Sequence, residues 1–125
     1  MRKLNVLIVD DNRAFLKAAR ELIAELPCVA GVECASSGAE ALIRLGRLAP
    51  DLVMTDLVMP QMSGFELIRR LRALATPPRV VAVSLHDGAE YRAAVLRSGA
   101  EALVSKREFA AMAPDLIASI ARTSD

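Results

Sequence analysis

Residues 6–11 read VLIVDD and residues 51–56 read DLVMTD, so that twice a short apolar run ends abruptly in aspartate. Short runs rich in β-branched and aliphatic residues, bounded by polar ones, are the pattern of buried strands. In an open parallel sheet, ligands bind at the carboxyl ends of the strands, where the winding reverses direction. Asp10, Asp11 and Asp56 would then arrive at one edge. Three carboxylates gathered there repel one another unless a positive charge lies among them. A hard divalent cation such as Mg²⁺ suits that place, because it takes a few carboxylates together with waters and a substrate phosphate.

The pattern continues in both directions from these two runs. Leu4–Val9 is the first strand, followed by a helix whose apolar stripe is Phe15, Ala19, Leu22, Ile23 and Leu26, with Pro27 ending it. Val29–Ala35 reads as a second strand. Ser36 or Ser37 then caps a helix running to Leu48, with Glu40 placed to complete a capping box for Ser37. The third strand is Leu52–Thr55, and Phe65, Leu67, Ile68 and Leu71 supply the apolar face of a third helix. Thr76, Pro77 and Pro78 break that helix before a fourth strand, Arg79–Ser84. Asp87 is the expected cap of a fourth helix ending at Ser98, with Gly99 as its stop. Ala102–Val104 is a short fifth strand. The last helix carries Phe109, Met112, Leu116, Ile117 and Ile120 on one face, and Pro114 is expected to kink or interrupt it. Strands alternating with helices imply right-handed crossovers and a parallel sheet covered on both faces. The expected architecture is one doubly wound α/β domain over residues 1–125, with five strands, five helices and a linker starting within 122–125.

Composition narrows the function classes. Hydrophobic residues make up 54% and charged residues 25% of the 125, which fits a chain that buries one core. A net charge of +1 supplies no field for nucleic acid, so DNA binding by this domain alone is not expected. The basic start before an apolar stretch has the look of a signal peptide, but the stretch is short and runs into acids. No segment is long enough to span a membrane. Cys28 and Cys34 are not spaced as a metal site, and two free thiols in a cytoplasmic protein are expected.

The polar residues at the strand ends define the chemistry. Asp10 and Asp11 follow the first strand, Asp56 the third, Ser84 closes the fourth, and Lys106 lies just beyond the fifth. Carboxylates to hold a metal, an ammonium to neutralise phosphate and a hydroxyl to donate to a phosphate oxygen make a phosphoryl site. No Gly-rich phosphate loop follows the first strand, so neither a P-loop nor a dinucleotide fold is expected. The phosphoryl acceptor is then one of the site's own groups, and a carboxylate can attack phosphorus to give an acyl phosphate. Asp56 is the candidate, being central and leaving Asp10 and Asp11 for the metal.

The segments VDD at 9–11, TDLVMPQMSGFEL at 55–67, VSL at 83–85 and GAEALVSK at 99–106 resemble the receiver domain of two-component response regulators. The flavodoxin-like strand order 2-1-3-4-5 comes with that resemblance. It implies that Asp56 accepts phosphoryl from the phosphohistidine of a sensor histidine kinase or phosphotransfer protein, or from a small acyl phosphate. It implies that Asp11 contacts Mg²⁺ directly, that Asp10 helps through water or as a second acid, and that the Val58 backbone carbonyl is a further ligand. Lys106 matches the family's lysine, Ser84 its switch hydroxyl, and Pro60 and Gly64 the turn after the acceptor. A downstream output domain or protein and a phosphorylation-dependent dimer are the partners implied, and such a module acts catalytically on itself alone. Two positions depart from the pattern. Leu103 stands where an aromatic residue usually turns inward on phosphorylation. Arg107 stands where many members have proline, so no cis Lys–Pro bond can form.

Plainer readings stand beside these. Asp10, Asp11 or Asn12 can cap the first helix, but capping does not call for Asp56 and Lys106 on the same rim. His86 can be a solvated loop histidine or a modulator of the site. The Met residues are packing elements, with Met59 and Met62 also placed to form partner surface, and Arg69, Arg70 and Arg72 suit a solvated face. Leu103 also supports an alternative function, a phosphorylation-independent interaction module of receiver ancestry. A phosphatase with an aspartyl nucleophile fits poorly, since its acids would follow the first strand two residues apart.

Overall fold

The computed structural model describes residues 2–124. The strands are β1 (Leu4–Val9), β2 (Val29–Ala35), β3 (Leu52–Thr55), β4 (Arg79–Ser84) and β5 (Leu103–Ser105). Between and after them lie α1 (Arg13–Ala24), α2 (Gly38–Leu48), α3 (Gly64–Arg72), α4 (Ala89–Ser98) and α5 (Phe109–Arg122), the last preceded by a 3₁₀ turn at Lys106–Glu108. The five strands form one parallel sheet in the order β2-β1-β3-β4-β5. This is the doubly wound, flavodoxin-like α/β fold that the sequence pattern and its resemblance predict. No helix among the described residues is long and apolar enough to cross a membrane.

Alternation along the strands builds two cores. On β1, Leu4, Val6 and Ile8 point to one face and Leu7 and Val9 to the other, as a period of two requires. The first face packs against Leu16 and Ile23 of α1 and Phe109, Ile117 and Ile120 of α5. The second packs against Ala41 of α2, Leu67, Ile68 and Leu71 of α3, and Val95 of α4. Each fully buried Leu or Ile adds roughly 1.5–3 kcal/mol of transfer free energy, which holds the sheet rigid beneath its functional edge.

Caps place the helices. Asn12 caps α1, its side chain accepting from the Phe15 N–H. At α2 both serines are used: Ser37 Oγ accepts from the Glu40 N–H, while the Glu40 carboxylate reaches back to the Ser36 N–H. Ser63 caps α3 through the Glu66 N–H. At the opposite end of the sheet, Arg79 staples the last turn of α5. It pairs with Glu101 through two nitrogens and donates through Nη1 to the Ile120 carbonyl and to the Thr123 and Ser124 hydroxyls.

Three expectations need correction. Asp87 does not cap α4: Gly88 is the cap residue and makes no side-chain cap bond, because the Asp87 carboxylate is drawn to Arg107 across the β4–α4 loop. The fifth strand is displaced one residue from 102–104, since β4 pairs Ala82 with Leu103 and Ser84 with Ser105. Pro114 does not interrupt α5, which runs unbroken past it. The carbonyl its missing N–H would have met belongs to Ala110, which is exposed, so water can satisfy it. The linker expected within 122–125 extends to Asp125, outside the described residues.

Candidate functional site

Strand register assembles the site. Val9 is paired with Thr55 and Ala35, and the ladder continues one step further through Asp56 N–H to the Val9 carbonyl (2.9 Å) and Asp10 N–H to the Ala35 carbonyl (3.1 Å). Asp10 and Asp56 therefore leave the sheet side by side. Ser84 and Ser105 end β4 and β5 in register, so Lys106 emerges one residue beyond. Asp10, Asp56, Ser84 and Lys106 thus stand at one edge, with Asp11 and the loop residue Val58 at its mouth. Asp10, Asp56 and Ser84 are buried, whereas Asp11 and the Val58 side chain are exposed.

Asp10, Asp11 and Asp56 each offer one carboxylate oxygen, and these oxygens all lie within 4.8 Å of one another. At that separation two ionised carboxylates repel by roughly 3–4 kcal/mol if the surroundings screen as a protein surface does, with an effective dielectric of ~20. One cation stands against them: Lys106 Nζ is 2.7 Å from Asp10 Oδ2 and 3.4 Å from Asp56 Oδ2. The contact with Asp10 has the closeness of an ion pair without hydrogen-bond alignment, so Asp10 Oδ2 is buried with no hydrogen-bond donor among the described residues. Desolvation by burial pushes the Asp10 carboxyl above the usual carboxylate range, with Asp56 adding to it, and Lys106 and the Asn12 N–H only partly offset this. A buried, under-satisfied carboxylate oxygen beside two further acids fits a hard divalent cation, and these three residues could hold one.

The remaining contacts fix Asp56 and the ammonium. Asp56 Oδ1 accepts from the Leu57 N–H (2.8 Å), and the buried Thr55 hydroxyl donates to the Asp56 carbonyl (2.9 Å). Gly64 begins α3 directly against that carbonyl: a Cβ there would lie 1.9 Å from the Asp56 oxygen. Lys106 Nζ also sits 4.8 Å from the centroid of the Phe15 ring, which itself meets Phe109 edge to face. The sequence pattern missed Thr55 and Phe15. Phe15 shows in the sequence only as a member of the α1 stripe. Its position in the first turn after the acids was the available signal. A groove of about 600 Å³, lined by Arg2, Asp51 and Arg79 among others, lies at the opposite end of the sheet with those charges already paired.

The family model described as the response regulator receiver domain matches residues 6–119. The chain belongs to that family. The receiver is 36% identical over 104 residues to "Protein-glutamate methylesterase/protein-glutamine glutaminase 5" of Myxococcus xanthus, covering 82% of its own length and 30% of that protein. Among solved structures it is similar to the response regulator domain of Thermotoga maritima CheB, with 27% identity, a TM-score of 0.86, and coverage of 99% of this chain and 100% of that one. It is similar also to the receiver domain of the histidine kinase CKI1 from Arabidopsis thaliana, solved with Mg²⁺ and BeF₃⁻. There the identity is 28% and the TM-score 0.77, over 95% of this receiver and 90% of that chain.

Proposed function

We propose that the receiver takes a phosphoryl group onto Asp56 and thereby switches a protein-interaction surface. The observation that carries this is the convergence of three carboxylates within 4.8 Å beside a single ammonium. An Asp56 oxygen would attack phosphorus while the P–N bond of a phosphohistidine, or the P–O bond of a small acyl phosphate, breaks, the departing imidazole nitrogen or carboxylate oxygen taking the bond's electron pair. Lys106, already 3.4 Å from Asp56 Oδ2, would neutralise a phosphoryl oxygen, and Ser84 would donate its hydroxyl to another. Asp10, Asp11, Asp56 and the Val58 carbonyl would hold Mg²⁺, which supplies positive charge against the carboxylates and the incoming phosphate. The similar CKI1 receiver, solved with Mg²⁺ and BeF₃⁻, supports this assignment.

The catalysis would be confined to the receiver's own phosphorylation and dephosphorylation. The donor would be a sensor histidine kinase or phosphotransfer protein in the cytoplasm, and the recipient of the signal an output domain or separate protein, with dimerisation on phosphorylation as one form of the switch. The whole of residues 1–125 would form this one unit, touching neither nucleic acid nor membrane directly. Val58 is apolar and 52% exposed at the mouth, so it would orient attacking water poorly and lengthen the life of the acyl phosphate. A second reading, a phosphorylation-independent interaction module, draws on Leu103. It is 6% exposed and packed in the second core, with no aromatic ring to exchange between inside and outside.

Intact mass after incubation with acetyl phosphate and Mg²⁺ separates the two. One phosphoryl adduct that disappears in Asp56→Ala and with EDTA is the expected result. Failure to form either that adduct or a beryllofluoride complex would favour the phosphorylation-independent module.

A further inference from the structure

The β4–α4 loop, residues 85–88, is gripped by two arginines that the site itself does not use. Arg107 Nη1 donates to the Leu85 carbonyl (3.3 Å) and to Asp87 Oδ2 (3.1 Å). Arg92 Nε donates to the Asp87 carbonyl (3.0 Å), and its Nη1 to the Leu103 carbonyl on β5 (2.9 Å). Asp87 thus receives one guanidinium on its carboxylate and the other on its backbone. Arg107 directly follows Lys106, and Arg92 lies in the first turns of α4. The Ser105 hydroxyl beside Asp87, then Arg107 and Arg92, hold its carboxyl below the usual carboxylate range, so the hub stays charged.

Inside this grip, the His86 N–H donates to Ser84 Oγ at 3.0 Å. A serine hydroxyl has two lone pairs and one hydrogen. Accepting from His86 anchors the oxygen and leaves the hydrogen to turn toward the carboxylate edge. The His86 ring in turn rests on Tyr91, 5.1 Å between centroids, which fixes the loop's outer side to α4. The Arg107–Asp87 pair has side chains 64% and 32% exposed. Alone, an exposed pair of that kind shifts an equilibrium by less than about fivefold. Here three donor contacts converge on a four-residue loop while a fourth ties Arg92 to β5, so together they set one geometry.

We infer that Arg107 and Arg92 are positioning residues that act through Asp87, holding the 85–88 loop so that the His86 amide presets the Ser84 hydroxyl for a phosphoryl group on Asp56. This rests on the phosphoryl-accepting function proposed above. The loop's shape, and with it the readiness of Ser84, is set from β5 and α4 together.

The test compares the parent with Arg107→Gln, Asp87→Asn, their double variant and Arg107→Lys, and compares Ser84→Ala with Arg107→Gln/Ser84→Ala. Two quantities are read: exchange of the His86 amide in metal-free protein, and beryllofluoride affinity in Mg²⁺. Each single variant is expected to speed His86 exchange and weaken beryllofluoride binding about two- to fivefold. The double variant should be no worse than either single one, and Arg107→Lys should recover part of the loss. Adding Arg107→Gln to Ser84→Ala should cost nothing further, which a merely structural role would not produce. Unchanged His86 exchange, additive losses in the double variant, or a full Arg107→Gln effect without the Ser84 hydroxyl would each overturn the inference. A parent that binds no beryllofluoride would overturn the phosphoryl-accepting function and the role given to Ser84, while His86 exchange would still decide whether the arginines hold the loop.

Discussion

Replacing Gly64 with alanine tests most directly the backbone on which Asp56, the proposed acceptor, is set. Gly64 has no left-handed backbone angle, so a side chain meets no conformational objection there. What it meets is the backbone of Asp56 itself. The added Cβ would lie 1.9 Å from the Asp56 carbonyl oxygen and 2.7 Å from the Leu57 Cα, where such contacts essentially never fall below 3.0 Å. Backbone, not a flexible side chain, must retreat by about 1 Å, and overpacking of that kind costs about 1–3 kcal/mol. The Gly64 N–H to Leu57 carbonyl bond spans the same gap, and losing it adds about 1 kcal/mol. For a domain of this size 1 kcal/mol moves the midpoint by about 4 °C, so Gly64→Ala should melt about 8–16 °C below the parent. Because an acceptor displaced by about 1 Å loses on the order of 100-fold in rate, phosphoryl labelling measured well below the midpoint should also collapse. A variant that melts within about 2 °C of the parent, equivalent to about half of 1 kcal/mol, would refute the close approach and the reasoning built on it.

Other substitutions probe independent parts of the chain. Gly46→Ala, in the last turn of α2 with nothing within 4 Å of the new methyl group, should raise the midpoint by about 2 °C in the same melt, through about 0.5 kcal/mol of backbone entropy. Asp10→Asn removes a desolvated charge from beside Asp56, so metal-free protein should gain about 1 kcal/mol while Mg²⁺-dependent labelling falls, read by melting and intact mass side by side. Glu40 is held below the usual carboxylate range, first by the Ser36 N–H. Its stabilisation is therefore complete above the unfolded value and is lost as pH falls through the lower folded one. Glu40→Gln should melt about 2–4 °C below the parent at pH 7, and this gap should close as the pH drops below about 4. A gap independent of pH would mean that the charge is not what caps α2.

Much of this arrangement was legible because buried parallel strands and amphipathic helices announce themselves locally. VLIV and LVMT are bounded by polar residues, and the α1 and α3 stripes recur at helical spacing, so the elements fall where the periodicity puts them. The strand order was not legible in that way and came with the family resemblance. Local rules failed where a distant partner competed. Asp87 precedes a helix and looks like its cap, but Arg107, twenty positions away in sequence, claims its carboxylate. Pro114 looks like a break, but Ala113, Ile117 and Ile120 are buried on either side of it and keep the helix in place. β5 has three residues, so a one-residue slip is a third of its length. At the site, the residue types at the strand ends were enough to list Asp10, Asp11, Asp56, Ser84 and Lys106. The Phe15 ring beneath Lys106 was signalled only by its place in the first turn after the acids, because the contact itself depends on how α1 lies across β1 and α5.

The Arg79 staple carries a practical consequence for measurement. It fastens the end of α5 at the start of β4, a strand of six residues that at ~3.3 Å each separates that pole from the phosphoryl edge by about 20 Å. A dye on Arg122, exposed in the last turn of α5 and outside the staple, would move as part of the body and not as a loose thread. Energy transfer from such a dye to a second one on α4 would therefore report tilting of that helix, undiluted by fraying of the attachment point. Cutting the staple with Arg79→Ala would blur the same ruler without touching the chemistry at the other end.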